Sequence, residues 1–239
     1  MNEHEQPTAH RTFHDKLDLL KQRLLAMSQR SEELLALAVQ AFLGRDAGKA
    51  AAVLEADNEV DSLEVEVEGL AISLLALQQP MAKDLRFIVS AIKITGDLER
   101  VGDHAVNIAQ SAQRLATIRH HLAAPPEVRE MADKASRMLS DALDAMVRLD
   151  GTLGRDVCRR DDDVDKLHES VFRIMLTHMA EAPSSISAAL ELLLVSRNLE
   201  RVADLATNIA EDAVYLAEGK TIKHHLEDRA PAPHPVLHV

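Results

Sequence analysis

The sequence predicts an all-α protein made of two tandem, duplicated three-helix bundles with six long helices. Of its 239 residues, 46% are hydrophobic but only 2% are aromatic, and glycine and proline occur eight times each. That composition is typical of aliphatic helices. Leu98-Glu99-Arg100-Val101 also returns as Leu199-Glu200-Arg201-Val202, 101 residues later. A repeat of this kind indicates two copies of one structural unit.

The repeat extends upstream of this motif. Asp57 and Asp61 in the first copy correspond to Asp161 and Asp165 in the second, 104 residues later. A shorter connection in the second copy accounts for the difference between the two spacings. Each copy, of about a hundred residues, is long enough to bury its own core. We expect the repeats at residues 12–119 and 126–218, with disordered segments at residues 1–11 and 219–239.

Three helices are predicted in the first repeat, at about residues 12–43, 47–77 and 81–119. Asp46 is a candidate N-cap of the second helix. Pro80 ends that helix, because proline lacks a donor and disfavours the helical conformation of the residue before it. Residues 120–126 are then expected to link the two repeats.

The second repeat follows the same plan, with helices expected at about residues 126–149, 153–180 and 185–218. A break is predicted at Gly151-Thr152 between the first two of these helices. Ser184 or Ser185 is a candidate N-cap of the last helix, and Gly219 is its candidate C-cap.

The charge balance and the lone cysteine exclude several classes of protein. A formal net charge of −12 disfavours nucleic acid and anionic membranes as direct partners, because phosphate groups attract basic surfaces. Cys158 has no partner for a disulfide, which suits a reducing cytosol. The polar N-terminus lacks a signal core, and the longest uncharged run, residues 69–82, is too short to span a bilayer. A cytoplasmic location without membrane insertion is the expectation.

Acidic residues four apart are the candidate functional feature of both repeats. Residues at this spacing share one face of a helix, about 5–6 Å apart. If the second and third helices are antiparallel neighbours, their acidic pairs face one another. We name the resulting clusters the first acidic patch (Asp57, Asp61, Glu99, Asp103) and the second acidic patch (Asp161, Asp165, Glu200, Asp204).

A bound cation is the simplest way to neutralise such a patch, because clustered carboxylates repel one another and are costly to bury unpaired. No Lys or Arg lies between Lys49 and Lys83. Oxygen ligands suit magnesium, manganese, calcium or oxidised iron rather than structural zinc. Glu64 is a possible further ligand; its counterpart is His168, which makes iron or zinc plausible in the second patch. Asn107 and Asn208 extend the same faces, either as ligands or through structural hydrogen bonds.

Two other interpretations remain open at this stage. The acids can form solvated helix flanks, paired with Arg100, Arg197 or Arg201. The chain can also be a ferritin-like di-metal carboxylate protein, a redox enzyme or a metal store, although such bundles use Glu-x-x-His pairs and only Asp165-x-x-His168 comes close. No nucleophile–base pair, glycine-rich loop or cysteine cluster occurs, so we expect no enzyme and no catalytic residue. His104 has no counterpart in the second copy, which predicts a surface position.

Residues 80–86, residues 91–109 and the copy around Glu200 closely resemble the PhoU family of phosphate-specific transport system accessory proteins. The likeness covers about residues 12–218 and includes the duplication. It implies two three-helix bundles in a flat, often dimeric, cytoplasmic molecule. It also implies metal clusters held by (Glu/Asp)-x-x-x-Asp pairs, here the four pairs of the two acidic patches, with iron, zinc, magnesium or manganese as candidate ions.

The function that this resemblance implies is regulatory. PhoU-like proteins are negative regulators of phosphate uptake and of the phosphate-starvation response. They are thought to link the ATPase subunit of the phosphate ABC transporter to a phosphate-sensing histidine kinase. We therefore expect a homodimeric signalling adaptor.

Overall fold

Six long α-helices make up the computed structural model, which describes residues 6–78, 80–118 and 122–222, with the side chains of residues 6–12 and 78 excepted. The helices are α1 (Gln6–Gly44), α2 (Ala47–Gln78), α3 (Ala82–Thr117), α4 (Pro126–Arg148), α5 (Gly151–Glu181) and α6 (Ile186–Glu218), with one 3₁₀ turn at Pro183–Ser185. The described residues contain no strand. The predicted all-α class with six long helices is confirmed.

The start of α1 differs from the prediction. The helix begins at Gln6 rather than near residue 12. Its proline, Pro7, falls in the first turn, where a missing N–H costs no hydrogen bond and the fixed φ suits a helix. Residues 1–5 and 223–239, which make up most of the segments expected to be disordered, lie outside the described residues, as do residues 119–121, which include the start of the predicted linker.

Equivalent aspartates begin the second helix of each repeat. Asp46 Oδ1 accepts hydrogen bonds from the backbone N–H groups of Gly48 (2.9 Å) and Lys49 (3.0 Å), so the predicted N-cap is confirmed. Asp150 does the same for the second and third residues of α5, at 3.0 Å each. The predicted break at Gly151-Thr152 is therefore displaced: α4 ends at Leu149 in the left-handed conformation (φ 53°), and Gly151 already belongs to α5.

Neither serine caps α6. Ser185 stands at the N-cap position, but its hydroxyl donates backwards to the carbonyl oxygens of His178 (3.0 Å) and Ala182 (2.7 Å). The 3₁₀ turn before α6 explains this difference, because it puts Ser185 in a helical rather than an extended conformation. At the other end Gly219 adopts φ +72° and closes α6, as predicted.

Packing groups the helices into two bundles of three. Helices α1, α2 and α3 contact one another, as do α4, α5 and α6. Leucine, isoleucine, valine, methionine and alanine dominate a core that is continuous across both bundles. Helical apolar periodicity predicts packed positions for Leu77, Leu85 and Ile186, but these side chains are exposed (67%, 41% and 40%). All three lie next to the α2–α3 or α5–α6 turn, where no further helix covers them.

The two repeats join mainly through α3 and α6. Arg114 Nε donates to Glu191 Oε1 at 2.7 Å, near the C-terminal end of α3, and Lys93 Nζ lies 3.5 Å from the buried Asp212 Oδ1, near its N-terminal end. Residue numbers thus fall along α3 as they rise along α6, so the two helices are antiparallel. No helix among the described residues is long and apolar enough to cross a membrane.

Candidate metal centres

The α2–α3 hairpin brings the first acidic patch together. Asp57 and Asp61 lie on α2, and Glu99 and Asp103 lie on the adjoining face of α3. Burial raises the pKa of Asp57 to about 6, and the charges of Asp61 and Asp103 add to the shift. Burial also raises the pKa of Glu99, with further contributions from Asp103, Glu64 and Asp61. The predicted meeting of the two acidic pairs is therefore present in the fold.

A glycine on α3 leaves room for the carboxylate of Asp57. A Cβ atom added to Gly102 would lie 2.8 Å from Asp57 Oδ1, closer than real Cβ atoms come to an oxygen. It would also touch Val60 Cγ1 at 3.6 Å and Leu34 Cδ2 at 3.7 Å. The Asp57 carboxylate thus occupies space that only glycine leaves open. The second copy has Ala203 at this position, a difference that a close comparison of the repeats reveals.

Basic residues neutralise the acids beside the first patch but not the patch itself. On α2, Glu66 pairs with Arg23 of α1 at 3.0 Å, and Glu59 pairs with Arg30. Arg100 turns to the buried Asp97 instead of to Glu99. Within the described residues, no Lys or Arg lies within ion-pair distance of the four patch carboxylates. Asp57 and Glu99 are half-buried, whereas Asp61 and Asp103 are exposed, so the solvated-flank interpretation remains open for the outer half of the patch.

The α5–α6 hairpin assembles the second acidic patch in the same way. Burial raises the pKa of Asp161 to about 6; the charges of Asp204 and Asp165 add to the shift, and the Thr207 hydroxyl opposes it. Burial and Asp204 likewise raise the pKa of Glu200. The repulsion among carboxylates seen in the first patch therefore recurs in the second.

Buried oxygen atoms without hydrogen bonds distinguish the second patch. Asp161 Oδ1 and Glu200 Oε2 are shielded from solvent, and neither completes a hydrogen bond within the described residues, although the Thr207 hydroxyl lies close enough to the Asp161 carboxyl to lower its pKa. Arg201 Nε lies 3.4 Å from Glu200 Oε2 without hydrogen-bond geometry, while Arg201 Nη1 donates to Asp204 Oδ2 at 2.8 Å. One arginine thus offsets part of the charge but leaves two inward-facing oxygens unsatisfied, an arrangement that costs free energy unless a cation or water joins them.

His168 makes the second patch chemically different from the first. Its Nδ1 lies 3.0 Å from the hydroxyl oxygen of Ser196 on α6. The corresponding residues in the first repeat are Glu64 and the fully buried Thr95. Burial and its acidic neighbours raise the pKa of Glu64, so it belongs to the first patch. Sequence reasoning missed Ser196, although it is one of the polar residues on the buried face of α6.

Three other polar residues of the sequence analysis lie at the edge of the patches or outside them. Asn107 is exposed and Asn208 is half-buried, and neither makes a hydrogen bond within the described part of the chain. His104 was predicted to be a surface residue, and this is wrong. Its Nδ1 lies 2.8 Å from Asn198 Oδ1 of α6, in the contact between the repeats.

The donor atoms of both patches fit a metal ion, although they do not yet surround one. No three His, Cys, Asp or Glu side chains of the described residues converge closely enough to hold a metal as they stand. Carboxylate oxygens are the ligands of hard cations, and rotation about side-chain bonds can redirect them. Cys158 is no competing ligand, because burial raises the pKa of its thiol to about 11 and keeps it protonated.

The fold and the patches define a class of protein: an all-α molecule of two repeated three-helix bundles, each with a carboxylate patch between its last two helices. The PhoU domain matches residues 24–112 and again residues 128–213. The chain belongs to the PhoU family.

Individual relatives agree with this assignment over most of the chain. The phosphate-specific transport system accessory protein PhoU homolog of Clostridium acetobutylicum is 37% identical over 211 residues, 88% of this chain and 96% of that protein. The crystal structure of PhoU from Pseudomonas aeruginosa has a TM-score of 0.84 at 36% identity and covers 87% of this chain and 100% of that one. The phosphate transport system regulatory protein PhoU from Streptococcus pneumoniae has a TM-score of 0.80 at 28% identity, covering 87% and 98% of the two chains.

These comparisons bear on the enzymatic alternative left open by the sequence. The relatives are named as accessory or regulatory proteins, which agrees with the expectation that the chain is not an enzyme. They give no support to the ferritin-like di-metal alternative.

Proposed function

We propose that this protein is a negative regulator of phosphate uptake and of the phosphate-starvation response. The carrying observation is its similarity, over most of its length and in both repeats, to accessory proteins of the phosphate-specific transport system. Regulation by contact needs no reactive group. The absence of a nucleophile–base pair from the sequence supports this proposal.

In this role the protein acts in the cytoplasm as an adaptor between the ATPase subunit of the phosphate ABC transporter and a phosphate-sensing histidine kinase. It also forms homodimers. Exposed apolar side chains occur on both repeats, and on α5 and α6 they include pairs one helical turn apart, which supports protein partners. The pairs are Phe172 and Leu176 on α5, and Leu190 and Leu194 on α6.

Metal ions are the proposed occupants of the two patches. Asp57, Asp61, Glu99 and Asp103 would hold one centre, with Glu64 in reach. Asp161, Asp165, Glu200 and Asp204 would hold the other. A bound cation supplies positive charge and a link between two helices, which relieves the mutual repulsion of the carboxylates. The chain's own part is to position the acids, through Gly102 in the first patch and through the Arg201 ion pairs in the second.

Deletion of the gene in its host tests the regulatory role. Phosphate uptake and starvation-induced genes are expected to become active in phosphate-rich medium, and a plasmid copy of the wild-type gene should restore repression. The tagged protein should retain the transporter ATPase or the sensor kinase on purification. Unchanged repression in the deletion strain would contradict the proposal.

Oxygen consumption with ferrous iron tests the enzymatic alternative. An adaptor should show no turnover beyond the background rate of iron oxidation. Sustained ferroxidase activity that Glu99→Ala abolishes would overturn the adaptor role and restore the di-metal enzyme.

A further inference from the structure

We propose that a cleft at the junction of the two repeats binds a small organic anion with an apolar body. The inference goes beyond the regulatory role and does not depend on the acidic patches. Three observations carry it: the volume and apolar walls of the cleft, the two arginines on those walls, and the leucines that stand in the place of these arginines in the other half of the molecule.

This junction cleft has the size and the lining of a small-molecule site. Its volume is about 380 Å³, and its walls come from both repeats and from the segment that connects them. The lining residues are Phe42, Leu43, Arg45, Leu115, Ala124, Pro125, Pro126, Arg129 and Leu192. All nine lie within the described part of the chain, and seven of them are apolar. Sites for small molecules measure about 300–1,000 Å³, are mostly apolar and often lie between domains.

Two arginines are the charged residues on the walls of the junction cleft. Arg45 Nη2 donates to the carbonyl oxygen of Leu122 at 2.8 Å, which holds this guanidinium group against the connecting segment. Arg129 makes no hydrogen bond or ion pair within the described residues, not even with the nearby Glu127. Guanidinium groups bind carboxylates and phosphates through paired N–H groups. A ligand of the cleft is therefore expected to carry one of these anionic groups.

The duplication shows that this charge is particular to the junction cleft. Helices α1 and α4 align with an offset of 104 residues. Leu149 then corresponds to Arg45, and both residues adopt the left-handed conformation, with φ of 53° and 48°. Leu25, which is 44% exposed, corresponds to Arg129. The fold thus accepts leucine at both positions, so packing alone does not require an arginine at either of them.

Apolar walls and guanidinium groups together select an amphipathic anion. Each methylene that enters an apolar cleft raises the affinity by about fourfold. Hydrogen bonds to a charged group add about tenfold to a hundredfold. An inorganic anion gains only the second contribution, and a neutral chain gains only the first. A carboxylate with a chain of about six to ten carbons gains both, which makes octanoate a suitable test ligand.

Calorimetric titration of the full-length protein with hexanoate, octanoate and decanoate tests the site. The affinity should rise by about fourfold with each added methylene until the cleft is filled. Two comparison ligands each lack one half of the proposed chemistry: 1-octanol has no charge, and inorganic phosphate has no chain. Each of them should bind at least about tenfold more weakly than octanoate.

Arg129→Gln and Ala124→Leu separate the charge of the cleft from its volume. Arg129→Gln should weaken octanoate binding by about tenfold to a hundredfold and leave 1-octanol binding within about twofold. Ala124→Leu keeps both guanidinium groups but adds volume at the wall, so it should weaken octanoate and 1-octanol alike, by about tenfold. Arg137→Gln is the matched control, because it removes the same charge from an exposed position on the same helix outside the cleft. Circular dichroism and urea unfolding establish that each variant is folded.

The pattern across ligands and variants decides the inference. Weaker octanoate binding in Arg129→Gln and in Ala124→Leu, with binding by Arg137→Gln unchanged within about twofold, would support it. Octanoate affinity that neither cleft variant alters would overturn the assignment to this cleft, as would the absence of binding by all three carboxylates. Inorganic phosphate binding as tightly as octanoate would overturn the apolar part of the proposal.

Discussion

Replacement of Gly102 by alanine is the sharpest test of how the first patch is built. Alanine is favoured over glycine inside a helix by about 0.8–1.0 kcal/mol. Opposing this, the new Cβ would lie 2.8 Å from Asp57 Oδ1, so the carboxylate must move. Forcing a side chain off its preferred rotamer costs about 0.5–1.5 kcal/mol. We therefore expect Gly102→Ala to change the free energy of unfolding by less than about 1 kcal/mol, in either direction.

Gly96→Ala provides the matched control, because Gly96 lies in the same helix and a Cβ there would meet nothing within 4 Å. This change should give the full stabilisation of about 0.8–1.0 kcal/mol. Urea unfolding of the chelator-treated proteins measures both values. Titration with Mn²⁺ supplies the second readout: if the proposed first centre binds metal, Gly102→Ala should weaken binding by about tenfold, since it displaces the carboxylate of Asp57, while Gly96→Ala should not.

Equal stabilisation by the two substitutions, together with equal Mn²⁺ affinity, would refute this reasoning. It would mean that the Asp57 carboxylate does not depend on the space beside Gly102. Loss of folding in Gly102→Ala would also contradict this reasoning, because it would mean that the new Cβ meets backbone atoms rather than a movable side chain.

Three further predictions concern charge, metal and helix ends. Asp57 and Asp161 have folded-state pKa values of about 6 against an ordinary 3.8, so between those pH values the folded state binds more protons than the unfolded state. The free energy of unfolding of chelator-treated protein should therefore fall as pH rises through that window. Asn at both positions should flatten the pH dependence of this free energy, measured by urea unfolding. In metal-loaded protein, a hundredfold excess of ion over its dissociation constant stabilises the folded state by about 2.7 kcal/mol, so chelation should lower the melting temperature by about 5–10 °C. The shift should be clearly smaller in the double variant Glu99→Ala with Asp103→Ala. An unchanged melting temperature on chelation would leave the acids as ordinary surface charge. Asp150→Ala removes the acceptor of two backbone N–H groups at 3.0 Å and should lower the free energy of unfolding in urea by about 1 kcal/mol. A decrease below about 0.3 kcal/mol would argue against the N-cap.

The sequence predicted the helices well because their signals are local. Long apolar periodicity, Asp46 before α2 and Gly219 after α6 each act within a few residues. The patches were predictable for the same reason, since two acids four apart share a helix face and the repeat displays the pattern twice. The α2–α3 and α5–α6 hairpins then bring the pairs together.

Features that depend on a partner helix could not be predicted. Arg100 pairs with the buried Asp97 three residues before it, whereas Arg201 turns to Asp204 three residues after it. The residue in the place of Asp97 in the second copy is Asn198, which carries no charge. His104 bonds that same Asn198. The uncharged Asn198 explains why the equivalent arginines differ. The contact of His104 with Asn198 joins residues 94 apart in the chain, so no local pattern predicts it.

That antiparallel contact makes the chain resemble a symmetric dimer whose two subunits are joined by a peptide linker. Equivalent helices meet about their midpoints, as they do across the isologous interface of a two-fold dimer. A homodimer of a single repeat would carry two identical acidic patches, because both subunits would have the same sequence. Joining the two repeats in one chain lets their sequences differ. It allows the first copy to keep Glu64 and Gly102 while the second holds His168 and Ala203, so that one molecule carries two acidic patches of different composition.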